Sequence, residues 1–182
     1  MPRIWKSMPP ASTISCSNAN LDGIQITPSQ IVYQISIESL TLSGGGAGTG
    51  VGVNMTNTNI KNGFKLRSVE ITNFGSSALV TTYTDYMQLN DLRINNNYGS
   101  GWVANINTNA TTVIGGSFGA SVGFTPTAGT AGIWLEGALG VTMVGTEFGR
   151  YPYGLRSPTS STQSVTLHGC RFEACTTNHV YL

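Results

Sequence analysis

Charge is what this chain most lacks. Lys, Arg, Asp and Glu supply only 9% of its 182 residues, and the net charge is +1. A nucleic-acid partner requires many clustered Lys and Arg to displace counterions, so the composition argues against that class. No apolar run approaches the roughly 20 residues of a membrane-spanning helix, and membrane insertion is not expected. Met1–Pro10 lacks the apolar segment of a signal peptide. The three cysteines, Cys16, Cys170 and Cys175, are too few and too irregularly spaced for a disulfide framework or a zinc site. Neither His168 nor His179 has a second ligand at metal spacing, and no cofactor is expected. The glycine run Gly44–Gly50 fails the dinucleotide fingerprint and no Lys follows it, so it reads as a flexible loop.

What is present is glycine, 23 residues of it, and a repeat. The stretch Ser36–Gly44 returns as Lys65–Asn73, Gln88–Asn96, Thr112–Ala120, Thr142–Arg150 and Thr166–Ala174. The last strong apolar residue of each copy is Leu42, Ile71, Ile94, Phe118, Phe148 and Phe172, at intervals of 29, 23, 24, 30 and 24 residues. Counting from these anchors, positions −7, −5, −2 and 0 are mostly apolar, while −6, −4 and −1 are mostly polar. That is the alternation of a half-buried strand. Position −3 holds Ser39, Ser68, Asp91, Gly115, Gly145 and Gly169, which are small or turn-prone, so the strand bends there. The two long intervals come from Gly/Thr/Ala-rich inserts, Ser43–Gly50 and Ala120–Thr130, read as loops projecting from one edge.

A third apolar segment follows each anchor: Val51–Met55, Ala78–Thr82, Trp102–Ile106, Ile133–Gly137, Gly154–Ser157 and Asn178–Leu182. Three short strands in about 24 residues, repeated in register, indicate an all-β solenoid. The expected fold is a single-stranded right-handed parallel β-helix of about six rungs over residues 31–182. Residues 1–30, with Pro2, Pro9, Pro10 and Pro28, read as an irregular N-terminal lead-in or cap, with one degenerate turn near Thr13–Cys16. The strand pattern is still running at Leu182, which suggests a fragment or a subunit whose end is capped by something else.

Stacking in this register sets Glu38 beside Arg67, Glu70 beside Arg93 and Glu147 beside Arg171, a structural task for those carboxylates. Among the remaining acids, Asp22, Asp85, Asp91, Glu136 and Glu173, the turn position of Asp91 and the solvated position of Glu173 are unremarkable. Asp85, in an exposed loop between Tyr83 and Tyr86, and Glu136, outward on a third strand, form the candidate catalytic pair, since glycoside hydrolysis requires two carboxyls. The outward column of the third strands runs Asn54, Val80, Val103, Trp134, Arg156 and Tyr181. Trp134, Arg156 and Tyr181, with Tyr83 and Tyr86, are candidate glycan-binding residues, because aromatic faces stack on sugars. The same residue types are favoured where a sister chain packs, and both readings stay open. Tyr98, Tyr151 and Tyr153 are weaker candidates near turns.

Three phrases carry a family resemblance: Gly132–Gly137 (GIWLEG), Val141–Phe148 (VTMVGTEF) and His168–Leu182 (HGCRFEACTTNHVYL). With the repeats from Ile31 onward they resemble the β-helix of bacteriophage tailspikes and capsule depolymerases, within the pectin-lyase-like group. The resemblance implies a protein of the virion tail that acts outside the cell. It would bind, and as an enzyme depolymerise, bacterial surface polysaccharide, working as a glycoside hydrolase or polysaccharide lyase. It also implies a homotrimer in contact with other virion tail proteins. The calcium-binding Asp clusters of pectate lyases and the paired Asp motifs of polygalacturonases are absent. The alternative is a non-enzymatic structural or adhesive β-helix subunit whose exposed stripe is buried in the trimer.

Overall fold

The computed structural model describes residues 12–56, 58, 59, 61–158 and 163–182. Its strands form an all-β parallel solenoid of about seven turns, in which each strand pairs with those one turn before and one turn after. One sheet contains, in chain order, Ile24–Gln25, Val53–Met55, Leu79–Thr81, Trp102–Ala104, Ala131–Leu135, Tyr153–Arg156 and Asn178–Tyr181. Four of the six expected third segments are slightly shorter than the sequence pattern, and the two around Trp134 and Arg156 keep their length but start two and one residues earlier. The extra turn lies at the start, where Ser12–Ser15 pairs with Leu40–Ser43 and Ile24–Gln25 with Val53–Asn54.

The expected register holds throughout. Leu42 stacks on Ile71, then Ile94, Phe118, Phe148 and Phe172. Ile37, Leu66, Leu89, Val113, Met143 and Leu167 stack likewise. In the middle turns these residues are fully buried, and Phe118, Phe148 and Phe172 form a ring stack at centroid spacings of 5.8 and 4.7 Å. Every −3 residue is left-handed, with φ between 50° and 63°. A second such corner lies at −8, in Gln34, Gly63, Tyr86, Ala110, Gly140 and Ser164.

Gly44–Gly50 is not a free loop. Gly45 and Gly48 lie against the backbone of Ala19 one turn earlier, and Gly75 lies against Gly48 one turn later. A Cβ on Gly75 would collide with the Gly48 backbone, so glycine here permits the turns to stack. The insert Ala120–Thr130 is also tied down. Phe124 meets Tyr98 edge-on at 4.9 Å, and the Thr127 amide donates to the Tyr98 carbonyl.

Two of the expected ion pairs form, Glu38 with Arg67 at 3.9 Å and Glu147 with Arg171 at 3.4 Å. Glu70 and Arg93 are register neighbours but do not pair. Arg93 turns instead to Asp91, 3.5 Å away across its own bend, and Glu70 accepts from Asn95. Glu173 is likewise held by Arg171 at 2.9 Å. Asp22 accepts from the Val51 amide and the Asn54 side chain, both at 2.8 Å. All four ion pairs are solvent-exposed and contribute little to stability.

Among the described residues the interior carries one cation. Lys61 is 1% exposed, and its Nζ donates to the Thr82 and Met55 carbonyls at 2.8 and 3.2 Å. Burial lowers its pKa to about 8. The unfolded chain, with an ordinary lysine, therefore holds more protons between pH 8 and 10.5, so stability rises with pH in that window. Burial raises the Cys175 thiol and the Tyr151 phenol, which oppose this at the alkaline end. The expected gain from Lys61 between pH 8 and 9 is about 1 kcal/mol. Urea midpoints of the wild type and Lys61→Met, measured at both pH values, isolate it. Identical slopes for the two proteins would refute the assignment.

Candidate functional site

The outward column of the third-strand sheet is in the expected register: Asn54, Val80, Val103, Trp134, Arg156 and Tyr181 are consecutive partners. It faces out because the flanking residues, such as Ile133, Leu135 and Leu155, are fully buried. At its end the structure brings three rings around one cation. The Arg156 guanidinium carbon lies 4.3 Å from the centroid of Trp134, 4.7 Å from Tyr153 and 6.0 Å from Tyr181. Its Nη1 donates to the Gly129 carbonyl at 2.7 Å. Gly129 is left-handed at φ 80°, and the insert that carries it thereby becomes one wall of the site. Such cation–π contacts contribute about 0.5–2 kcal/mol each, more as water is excluded.

The sequence ranks Tyr153 with Tyr98 and Tyr151, below the outward column. Alternation gives it the inward parity of Leu155, yet it begins the strand just after Pro152, and its ring reaches the outer group, 5.9 Å from Tyr181. Gly129 carries no signal of its own, since its contribution is a backbone carbonyl. The other two minor candidates are structural: Tyr98 packs on Phe124, and Tyr151 is wholly buried. Trp134 Nε1 and Arg156 Nε are buried with no hydrogen-bond partner, so the stack forms at the expense of two donors.

Asp85 does not lie in a loop. It is half-buried in the short strand Thr84–Asp85, with Asn62 and Asn109 as column neighbours, and it accepts from Asn109 Nδ2 at 2.8 Å. Tyr83 and Tyr86 flank it, both left-handed, and Tyr86 is 65% exposed. Glu136 is exposed just past the strand Ala131–Leu135, its amide donating to the Ala104 carbonyl. Asp85 stacks through Asn109 to Leu139, so the turn carrying Glu136 lies two rungs, about 10 Å, further along the axis. No hydrogen bond or ion pair joins the two.

Glu147 and Glu173 do share a neighbourhood, on either side of Arg171. They border a shallow groove of about 140 Å³ whose floor is opened by Gly119 and Gly149 and whose far wall is Arg150. A second hollow, about 330 Å³, separates the insert at Phe124 and Pro126 from Arg150 and Pro152. Among the described residues no cluster of His, Cys, Asp and Glu is placed to hold a metal. Comparison with protein-family models, characterised proteins and solved structures finds no match to this chain.

Proposed function

We propose that this solenoid is a tailspike- or tail-fibre-like protein of a phage virion that binds host surface polysaccharide through its third-strand sheet. The observation that carries the reading is Arg156 held among Trp134, Tyr153 and Tyr181 beside an anchored insert. Rigid aromatic faces accept the apolar faces of sugar rings, while the guanidinium and phenol edges supply hydrogen bonds to hydroxyls. The repeated parallel turns provide a long stiff surface suited to a polymer. Depolymerisation would be an added activity, and Asp85 and Glu136 remain its candidate acids.

Purified capsular and lipopolysaccharide glycans immobilised as an array test the reading. Wild type should be retained by one or a few, and Trp134→Ala should lose at least tenfold in affinity with an unchanged far-ultraviolet spectrum. Reducing ends released from the bound glycan would add catalysis. Binding unaffected by Trp134→Ala would overturn the site. The competing reading, an adhesive or structural homotrimer with this stripe inside, is favoured by the half-burial of Trp134 and the exposed apolar pair Ile114 and Val144 on the other sheet. Its signature is a trimer mass in solution with Trp134 shielded from quenchers.

A further inference from the structure

The arginines among the described residues divide into two groups. Arg67, Arg93 and Arg171 each lie within 4 Å of a carboxylate. Arg150 and Arg156 have no such partner among the described residues, and both border the insert Ala120–Thr130. Arg156 grips Gly129 at its end, and Arg150 lines the hollow beneath Phe124 and Pro126. Among the described arginines these two are the ones with no carboxylate within 4 Å, and both stand beside one insert, although Arg150 also faces the groove that Glu147 and Glu173 border. Glu136, two residues beyond Trp134, makes no ion pair with Arg156.

The geometry of Arg156 sharpens this. Stacking fixes its plane, and Nη1 uses one hydrogen on the Gly129 carbonyl. A permanently charged guanidinium fixed in this way matches a carboxylate, phosphate or sulfate better than a lone hydroxyl. We infer that the glycan recognised at this face is acidic, its anionic groups meeting Arg156 and, across the insert, Arg150. This rests on the glycan-binding reading above and narrows it to a substrate class.

The test uses the full chain and a panel of purified bacterial capsular polysaccharides: uronate-bearing, phosphate-bearing and neutral. Each uronate-bearing member is paired with its carboxyl-reduced form. Acidic members should bind at least tenfold more tightly than neutral ones, and carboxyl reduction should abolish the preference if uronate is the group read. Preference for phosphate-bearing members, unchanged by carboxyl reduction, would assign the anion to phosphate. Arg156→Gln should remove the preference. Arg150→Gln, an exposed change with no stacking to lose, should weaken acidic binding severalfold without altering the melting temperature. Equal binding of acidic, reduced and neutral forms, still lost in Trp134→Ala, would overturn the inference and leave glycan binding standing. Retention of no glycan by the wild type would overturn both.

Discussion

Trp102→Ala is expected to lower stability by about 3–5 kcal/mol, the range for truncating a large buried aromatic. Trp102 is 0% exposed at mid-solenoid, paired in register with Leu79 on one side and Ile133 on the other. Its Nε1 donates to Thr81 Oγ1 at 3.0 Å, and that hydroxyl lies 3.1 Å from Thr108 Oγ1. The collapse that would soften such a cavity is restricted here. Gly101, the residue before it, already lies against the Gly132 carbonyl and the Phe118 ring. Since each turn touches mainly its neighbours, the cavity weakens both flanking interfaces. Trp102→Phe keeps most of the volume and loses the donor, so it should cost less, about 1–2 kcal/mol. Urea midpoints followed by circular dichroism distinguish these outcomes. An alanine variant as stable as the wild type would mean that the interior is not packed as described.

The parts of this fold that could be read from the sequence are those that recur. Leu42 to Phe172 and Ile37 to Leu167 occupy one environment six times, so an exception at one turn does not hide the column. The −3 bend was visible because small residues collected there. The −8 bend was not, because Gln34, Tyr86 and Ala110 are poor markers of a left-handed backbone, and the corner is imposed by the turns on either side. Lys61 was missed for a related reason. Lys61, Thr84 and Thr108 form one buried column before −7, where a charged and two polar residues give no apolar alternation to mark the inward face. Register also identifies which charges are neighbours without saying which rotamer wins, hence Arg93 with Asp91 in place of Glu70.

The candidate site divides along the same line. Trp134, Arg156 and Tyr181 were legible as an outward column, since side-chain parity decides that. The part that turns a column into a site was not. Gly129 acts through a carbonyl delivered by an insert with no repeat, and Tyr153 departs from strand parity at the strand's first residue. For Asp85, the mixed residues of Tyr83–Tyr86 read as loop, whereas pairing with Lys61–Asn62 and Thr108–Asn109 makes Thr84–Asp85 a strand.

Asn97→Ala should destabilise by about 3 kcal/mol, a large loss for a residue with no apolar side chain to remove, because it leaves several buried backbone groups unpaired. Asn97 sits at a corner three residues past its anchor, 0% exposed. Its Oδ1 accepts from the Phe74 amide at 2.8 Å, and its Nδ2 donates to the carbonyls of Ile71 and Asn95 at 3.1 and 3.0 Å. One amide thus joins consecutive turns where the strands give way to the corner and strand bonding stops. Asn97→Asp provides the sharper test. A carboxylate can still accept from Phe74, but it turns an acceptor toward two carbonyls, and burial among them raises its folded-state pKa above the unfolded value. The folded variant then binds more protons than the unfolded chain above about pH 4, so its stability falls as pH rises. Near pH 4 the protonated acid can donate to one carbonyl and recover part of the loss. The expected result is a deficit relative to the wild type that is larger at pH 7 than at pH 4. Equal deficits at the two pH values would show that Asn97 does not bridge the turns through its Nδ2.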